Sequence, residues 1–451
     1  MRETTMKMTE GSPSKLMMRF ALPLMLGNML QQVYIMTDTL IVSRTLGIDA
    51  LAALGAADWL CYMMISVIQA VSQGFAIMLS QDFGADDRDH LHHALAHVIT
   101  LSVIMTAVIT TGALLLMKPL LHIMHTPMEL MPTTSAYLRV IYMGLPAVML
   151  LNFGSSVLRA FGNSKTPLYS VAISACLNVV LDLLFVKVFG FGVQGAAWAT
   201  VIAQFCAGLF CIFAISKIEW LELKKDHFSK VPGMDKKLLA LSGPMMMQNM
   251  VISLGGLVVQ SQVNRCDLSF ISGYTAASKL YGLLEMASVA YGFAIMTYIG
   301  QNYGAGLYDR MKKGIKDACI IAVITGGLIG LGMLVFGRTV TGMFLTGSGR
   351  EVAAAGDTAY LFLQIMAIPL PVLYILYIVR SALQGLGDTF MPMMSGIAEC
   401  AARILISIFS VYLIGETAML VAEPAAWIAA VIILVSSLYK RMKKLSKTMK
   451  L

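Results

Sequence analysis

From Phe20 to Ser43 the chain reads "FALPLMLGNMLQQVYIMTDTLIVS", with Asp38 as its one charged side chain. Apolar blocks of this kind recur twelve times, at 16–43, 51–80, 93–117, 132–158, 167–188, 192–216, 238–262, 271–299, 314–337, 356–383, 390–414 and 417–438. Their length decides the fold class. A bilayer core about 30 Å thick takes about 20 apolar residues in a helix. Only a helix or a closed barrel satisfies its own backbone there. A barrel would show alternating segments of about 10 residues, and these blocks do not alternate. The expected fold is an all-α integral membrane protein with twelve transmembrane helices. Charge agrees: 13% of residues are charged, against about 25% in soluble chains.

Lys and Arg set the expected orientation. With both termini cytoplasmic, the cytoplasmic segments and the helix turns beside them hold 24 of the 33 Lys and Arg, as the positive-inside rule requires. The expected location is the cell membrane, with multiple passes. The polar start "MRETTMKMTEGSPSK" has no signal-cleavage pattern and is expected to be retained. The net charge of +8 is thus mainly topology. The tail "YKRMKKLSKTMK" is placed to meet anionic membrane lipids. Nucleic acid is not an expected partner, because the basic residues flank spans rather than cover a folded face. Seven Cys with no Cys-x-x-Cys read as packing residues.

The chain divides into residues 1–216, a polar linker at 217–237 with six Lys and Arg, and residues 238–451 with the basic tail. The two large parts repeat one another. "ALPLMLGNMLQQ" aligns with "SGPMMMQNMVIS" through Pro23 and Pro244. "GFAIMLSQDFGA" aligns with "GFAIMTYIGQNYGA" through Gln81 and Gln301, and "RAFGNSKTP" with "QGLGDTFMP" through Gly162 and Gly387. Six spans per half is an even number, so the halves enter the membrane the same way, as parallel repeats. Such lobes leave a cleft near the midplane that rocking opens to alternate sides, which suits a transporter better than a channel.

The segments "PLMLGNMLQQVYIMTDTLIVSRTLGIDALAALG", "GFAIMLSQDFGA", "RAFGNSKTP" and "NVVLDLLFVKVFGFGVQGAAWATVIAQ", in this order and over nearly the whole chain, resemble the MATE family of multidrug and toxic compound extrusion transporters. The likeness is to the DinF-like, prokaryotic branch. It implies two six-helix lobes and a functional monomer exchanging small organic substrates against a cation.

The ionisable residues inside spans are the candidate site, since intramembrane charge is functional by default. Asp38 is one. Asp182 in "LNVVLDLLFV" is another, with Asn178 one turn earlier on the same face, and Thr200 in "AAWATVIAQ" follows on the next helix. At about 1.5 Å per residue, Asp38, Asp182 and Thr200 lie roughly 27, 22 and 18 Å above the inner surface, close enough to converge. Two carboxylates, an amide oxygen and a hydroxyl are hard oxygen ligands, suited to a small cation or a shared proton. The resemblance puts the coupling ion, H⁺ or Na⁺, at these same four residues. No organic cofactor and no resident metal are expected.

The second half departs from this pattern. The repeat aligns Asp38 with Val259, Asn178 with Arg403 and Asp182 with Ser407. Arg403 instead has Glu399 one turn before it, a pair that is either structural or part of the substrate route. Lys279 and Glu285 are expected to pair with each other or with Glu399–Arg403, or to line the cleft. With Tyr34, Gln248 and Arg403 they form the candidate substrate set. The seventh span, "GPMMMQNMVISLGGL", has no acidic residue. "DDRDHLHHALAH" reads as a solvated helix end rather than a metal site. Some of the 35 Met suit a surface that repacks around varied ligands.

The expected function is a cation-coupled antiporter exporting amphipathic, often cationic, organic compounds by alternating access. No GxxxxGK[ST] segment is present for ATP-driven pumping. No nucleophile–base or metalloprotease pattern points to an enzyme. The alternative is a lipid or saccharide-lipid flippase, which calls for a more cationic cleft. A non-transporting receptor would have no need of the acidic pair.

Overall fold

The protein is described from a computed structural model that covers residues 5–124, 126–342 and 350–448. Each apolar block lies inside one helical run, and no strand occurs among the described residues. The runs are α1 (Pro13–Leu46), α2 (Ile48–Ala85), α3 (Arg88–Ile123), α4 (Met131–Met143 and Leu145–Ala160), α5 (Lys165–Asp182, prolonged by a π-helical Leu183–Val188) and α6 (Gly192–Ser216). The second half contributes α7 (Met234–Val263), α8 (Leu268–Gly304), α9 (Tyr308–Gly342), α10 (Arg350–Ala367 and Leu370–Gly385), α11 (Phe390–Phe409, with Val411–Ile414) and α12 (Thr417–Thr448). Nine of these are long and apolar enough to cross a membrane, and eleven are if each bent pair counts as one span. The exception is α1, whose interior carries Asn28, Gln31, Gln32 and Asp38.

Two blocks read as single spans are broken. α4 bends by 44° between Met143 and Leu145, and α10 by 51° between Ala367 and Leu370. The cause is local. Proline lacks the N–H of the helical ladder and its ring clashes one turn back, and "GLPAV" and "IPLPV" place Pro146, Pro369 and Pro371 at these points. The bends fall on equivalent helices of the two halves.

The repeat extends to turn geometry. Gly162 and Gly387 both take left-handed backbone, at φ 78° and 80°, a conformation that favours glycine. In each turn the next side chain accepts from the N–H three residues on: Thr166 N–H to Asn163 Oδ1 at 3.0 Å, Met391 N–H to Asp388 Oδ1 at 3.2 Å. These side chains satisfy amides that the start of a helix leaves open.

By contact the chain forms two compact units. One is Leu22–Met246 with the residues up to Lys7; the other is Met8–Ala21 with Met247–Leu451. In the second unit, Gln301 Oε1 accepts from Met8 N–H at 2.7 Å, while Asn302 and Arg310 donate to the Met8 carbonyl at 3.0 and 3.1 Å. These bonds fix the buried Met8 and the start of α1.

Candidate functional site

Small residues bring α5 and α6 together. Gly195 lies close against its neighbours: a Cβ there would lie 3.2 Å from the Phe185 backbone, tighter than an ordinary contact. Ala196, Ala197 and Ala199 are buried on the same helix. This approach brings Thr200 to Asn178, whose Nδ2 donates to Thr200 Oγ1 at 3.3 Å. Asp182 is the last α-helical residue before the π turn. π-Turns recur at functional positions because they re-aim side chains.

The four predicted residues fall in one unit. Asp182 and Asn178 are buried, at 0% and 1% exposure, and Asp38 is half-buried. The Asp38 and Asp182 carboxyls are within hydrogen-bonding reach of each other. As carboxylates both are acceptors, so neither satisfies the other. Asp38 Oδ1, both Asp182 oxygens and Asn178 Oδ1 are buried without a donor. Buried oxygens of this kind are costly to leave unsatisfied. Two acids in contact either share a proton, which turns one into a donor, or take a small cation between them. The donor set permits both.

The surroundings of the pair are apolar on one side and carry one further acid on another. Tyr34, one turn before Asp38 on α1, hydrogen-bonds Gln204 and Gln31. Val42, one turn beyond Asp38, packs with Ala50, Leu54, Val186, Val193 and Ala196, and with Tyr137 against that cluster. Asp58 of α2 adds a further acid within electrostatic range of Asp38. Among the described residues, no Lys, Arg or His forms a salt bridge with Asp38 or Asp182. Asp58 and Tyr137 were not singled out in the sequence. Asp58 carries the same signal as Asp38, the one charge of an apolar block, whereas only packing brings Tyr137 near the pair.

The second unit holds its charges differently. Arg403 grips Glu423 with a two-pronged contact, Nε to Oε1 at 2.9 Å and Nη2 to Oε2 at 2.8 Å. Its expected i,i+4 partner Glu399 is 3.6 Å away, and Glu399 also pairs with Arg380. Two guanidinium and two carboxylate groups balance. Only Arg403 Nη1 and Arg380 Nε are left without a hydrogen bond there. Arg380 and Glu423 were missed as partners, although both stand out as ionisable residues within apolar runs.

The candidate substrate residues divide between the two units. Tyr34 belongs to the first unit, and Gln248, Lys279, Glu285 and Arg403 to the second. Gln248 is buried against Gly396 and accepts from Gln384 at 3.4 Å. Glu285 accepts from the Tyr377 hydroxyl at 2.8 Å rather than from Lys279, which is exposed. Six residues apart on one helix, the two side chains diverge by about 120°.

The histidine-rich segment holds the linker. His93 Nδ1 meets the His227 carbonyl at 3.0 Å and His92 Nε2 the Trp220 carbonyl at 2.9 Å. His97 bonds Asp235 at 2.6 Å. His92 and His227 stack with ring centroids 4.8 Å apart. This is a fastened helix end, not a merely solvated one. Among the described residues no three His, Cys, Asp or Glu side chains converge as metal ligands.

Comparison with known proteins agrees with this architecture. The MatE family model matches residues 23–184 and 244–412, one stretch in each half. The chain is 27% identical over 350 residues to the probable multidrug resistance protein YoeA of Bacillus subtilis (strain 168), covering 76% of each. It is 25% identical over 421 residues to the probable multidrug resistance protein NorM of Thermotoga maritima, covering 91% of this chain and 89% of that one. A solved outward-facing MATE multidrug resistance transporter of the MOP superfamily superimposes with a TM-score of 0.90 over 99% of both chains at 20% identity, a likeness of fold. A twelve-helix chain whose two halves both match that model is a multi-pass membrane protein that belongs to the MatE family.

Proposed function

We propose that this protein is a secondary antiporter of the plasma membrane, in which inward flow of H⁺ or Na⁺ drives export of amphipathic organic compounds. The observation that carries the reading is the contact between Asp38 and Asp182, buried oxygens included, with no basic counter-charge. Such a pair binds a cation or proton strongly in one arrangement of its helices and releases it in another. An ion drives a conformational change only through that difference in affinity. Each tenfold in the ion gradient supplies about 1.4 kcal/mol per ion for uphill export.

The roles follow from the chemistry. Asp38 and Asp182 carry the exchangeable charge. Asn178 offers a neutral oxygen, and Thr200 orients it by accepting from the amide nitrogen at 3.3 Å. Relatives named as multidrug resistance proteins support varied organic substrates. Both termini and the linker 217–237 are cytoplasmic, and the working unit is a monomer.

The test is gradient-driven efflux from proteoliposomes under separately imposed proton and sodium gradients. Wild type exports under one of them. Asp38→Asn, incorporated in equal amount, loses export against a gradient while keeping downhill exchange. Wild-type uphill export by a folded Asp38→Asn protein would leave Asp38 as a hydrogen-bonding residue only.

A further inference from the structure

A second site lies apart from the carboxyl pair. A cavity of about 530 Å³ opens between the last turns of α3, the first limb of α4 and the first turns of α6. Its walls carry Lys118, Ser135, Arg139, Gln194 and Trp198. Ser135 and Arg139 lie one turn apart on α4, as do Gln194 and Trp198 on α6, so each helix turns one face to the cavity. Lys118 and Arg139 are both exposed, and neither forms a salt bridge among the described residues.

Position makes the two cations unusual. Arg139 is about 12 Å along α4 from Met131, inside an apolar run. An exposed guanidinium near the membrane interface, with no carboxylate in salt-bridge contact among the described residues, is placed to take another anion. The α3 surface one turn before Lys118 is apolar and exposed, with Leu115 and Leu116 at 72% and 55%. A Trp beside polar groups is the usual anchor at headgroup level. Cavity volume, paired cations, neutral hydrogen-bonding groups and an adjoining apolar surface all match one ligand class.

We propose that this cavity binds an anionic glycerophospholipid, with its phosphate between Lys118 and Arg139 and its headgroup hydroxyls on Gln194 and Ser135. The shared chemistry is a phosphate anion. The apolar border favours one carried on acyl chains over one free in solution. Each basic contact contributes about fivefold in affinity, so the two together give about a twenty-five-fold preference for the anionic lipid.

The experiment uses full-length protein in nanodiscs and reads Trp198 fluorescence as the difference between wild type and Trp198→Phe. Phosphatidylglycerol brominated on its acyl chains should quench this component far better than brominated phosphatidylcholine. Lys118→Gln/Arg139→Gln should abolish the preference, and millimolar inorganic phosphate should leave the quenching unchanged. An equal effect of the two lipids on wild type overturns the proposal. So does a preference that survives in the double variant. Displacement of the lipid by inorganic phosphate overturns it in favour of a free-anion site. Melting in phosphatidylcholine nanodiscs checks the fold. Should the double variant fail that check, Arg139→Gln alone must lower the preference about fivefold, and an unchanged preference contradicts the site.

Discussion

Asn178 and Asp182 lie one turn apart on α5, and the repeat aligns them with Arg403 and Ser407 on α11. The backbone of the two halves is alike down to the left-handed glycines 162 and 387. The chemistry at the matched positions is not. On α5 a buried acid faces another acid, and three of their four oxygens are buried without a donor. On α11 a buried guanidinium is clasped by Glu423 and approached by Glu399. At the matched positions one half keeps two acids without a basic partner, and the other keeps a guanidinium held by carboxylates. A duplicated fold thus need not carry a duplicated site. The scaffold positions both sets of side chains, and a few substitutions decide their charge.

The largest expected effect breaks the second half. Glu423→Gln leaves Arg403 buried without its main counter-charge and should cost about 3–5 kcal/mol of stability. Arg403→Leu with Glu423→Leu should recover most of it, because removing both partners removes the desolvation penalty as well. Denaturation in detergent micelles reads both. A Glu423→Gln protein as stable as wild type would contradict the buried clasp.

The same kind of change in the first half should act in the opposite direction. Asp182→Asn removes a charge that has no counter-charge and supplies an N–H for Asp38. It should raise stability by about 1 kcal/mol, even though it removes coupling. The melting temperature of the two variants, measured side by side, sharpens the contrast. Destabilisation by Asp182→Asn would mean that its carboxylate is paired after all.

The smallest effect belongs to the connection between the halves. His227, on the linker, titrates below the usual imidazole value, because of slight burial and then the nearby His92 and His93. Its folded value is lowered, so neutral His227 favours the docked linker. That contribution is complete above the ordinary value of about 6.5 and is lost as pH falls through the lowered one. Histidine ring NMR should give a midpoint below that of free imidazole, rising toward it in His92→Gln/His93→Gln. A midpoint at or above the ordinary value would remove the histidine contacts from the account.

Most of the fold was legible because bilayer thickness imposes one length on every span, and all twelve blocks lie within helical runs. The bends in α4 and α10 were not read, although "GLPAV" and "IPLPV" carry their cause. The four site residues were legible because charge in an apolar run is rare and helical spacing fixes which residues share a face. Asp58, the one charge in block 51–80, was open to the same rule and was overlooked, whereas Tyr137 was hidden because its approach depends on helix packing. Of the alternatives open for Lys279 and Glu285, mutual pairing is the one that fails, because six residues set them about 120° apart around the helix. Glu423 was visible as an ionisable residue in α12, but nothing in the sequence linked it to Arg403, which lies on another helix.

The central claim is that the exchangeable ion resides only in the first half. The direct measurement is ion release from purified, detergent-solubilised protein on addition of a lipophilic organic cation, followed by a pH dye and, in parallel, by bound radioactive sodium. Wild type and Glu285→Gln should release the same number of ions, of one kind. Asp38→Asn and Asp182→Asn should release none, and the double variant should be no worse than either, as groups acting as one unit require. Full release from a folded Asp38→Asn/Asp182→Asn protein would place the exchangeable ion elsewhere and contradict the account.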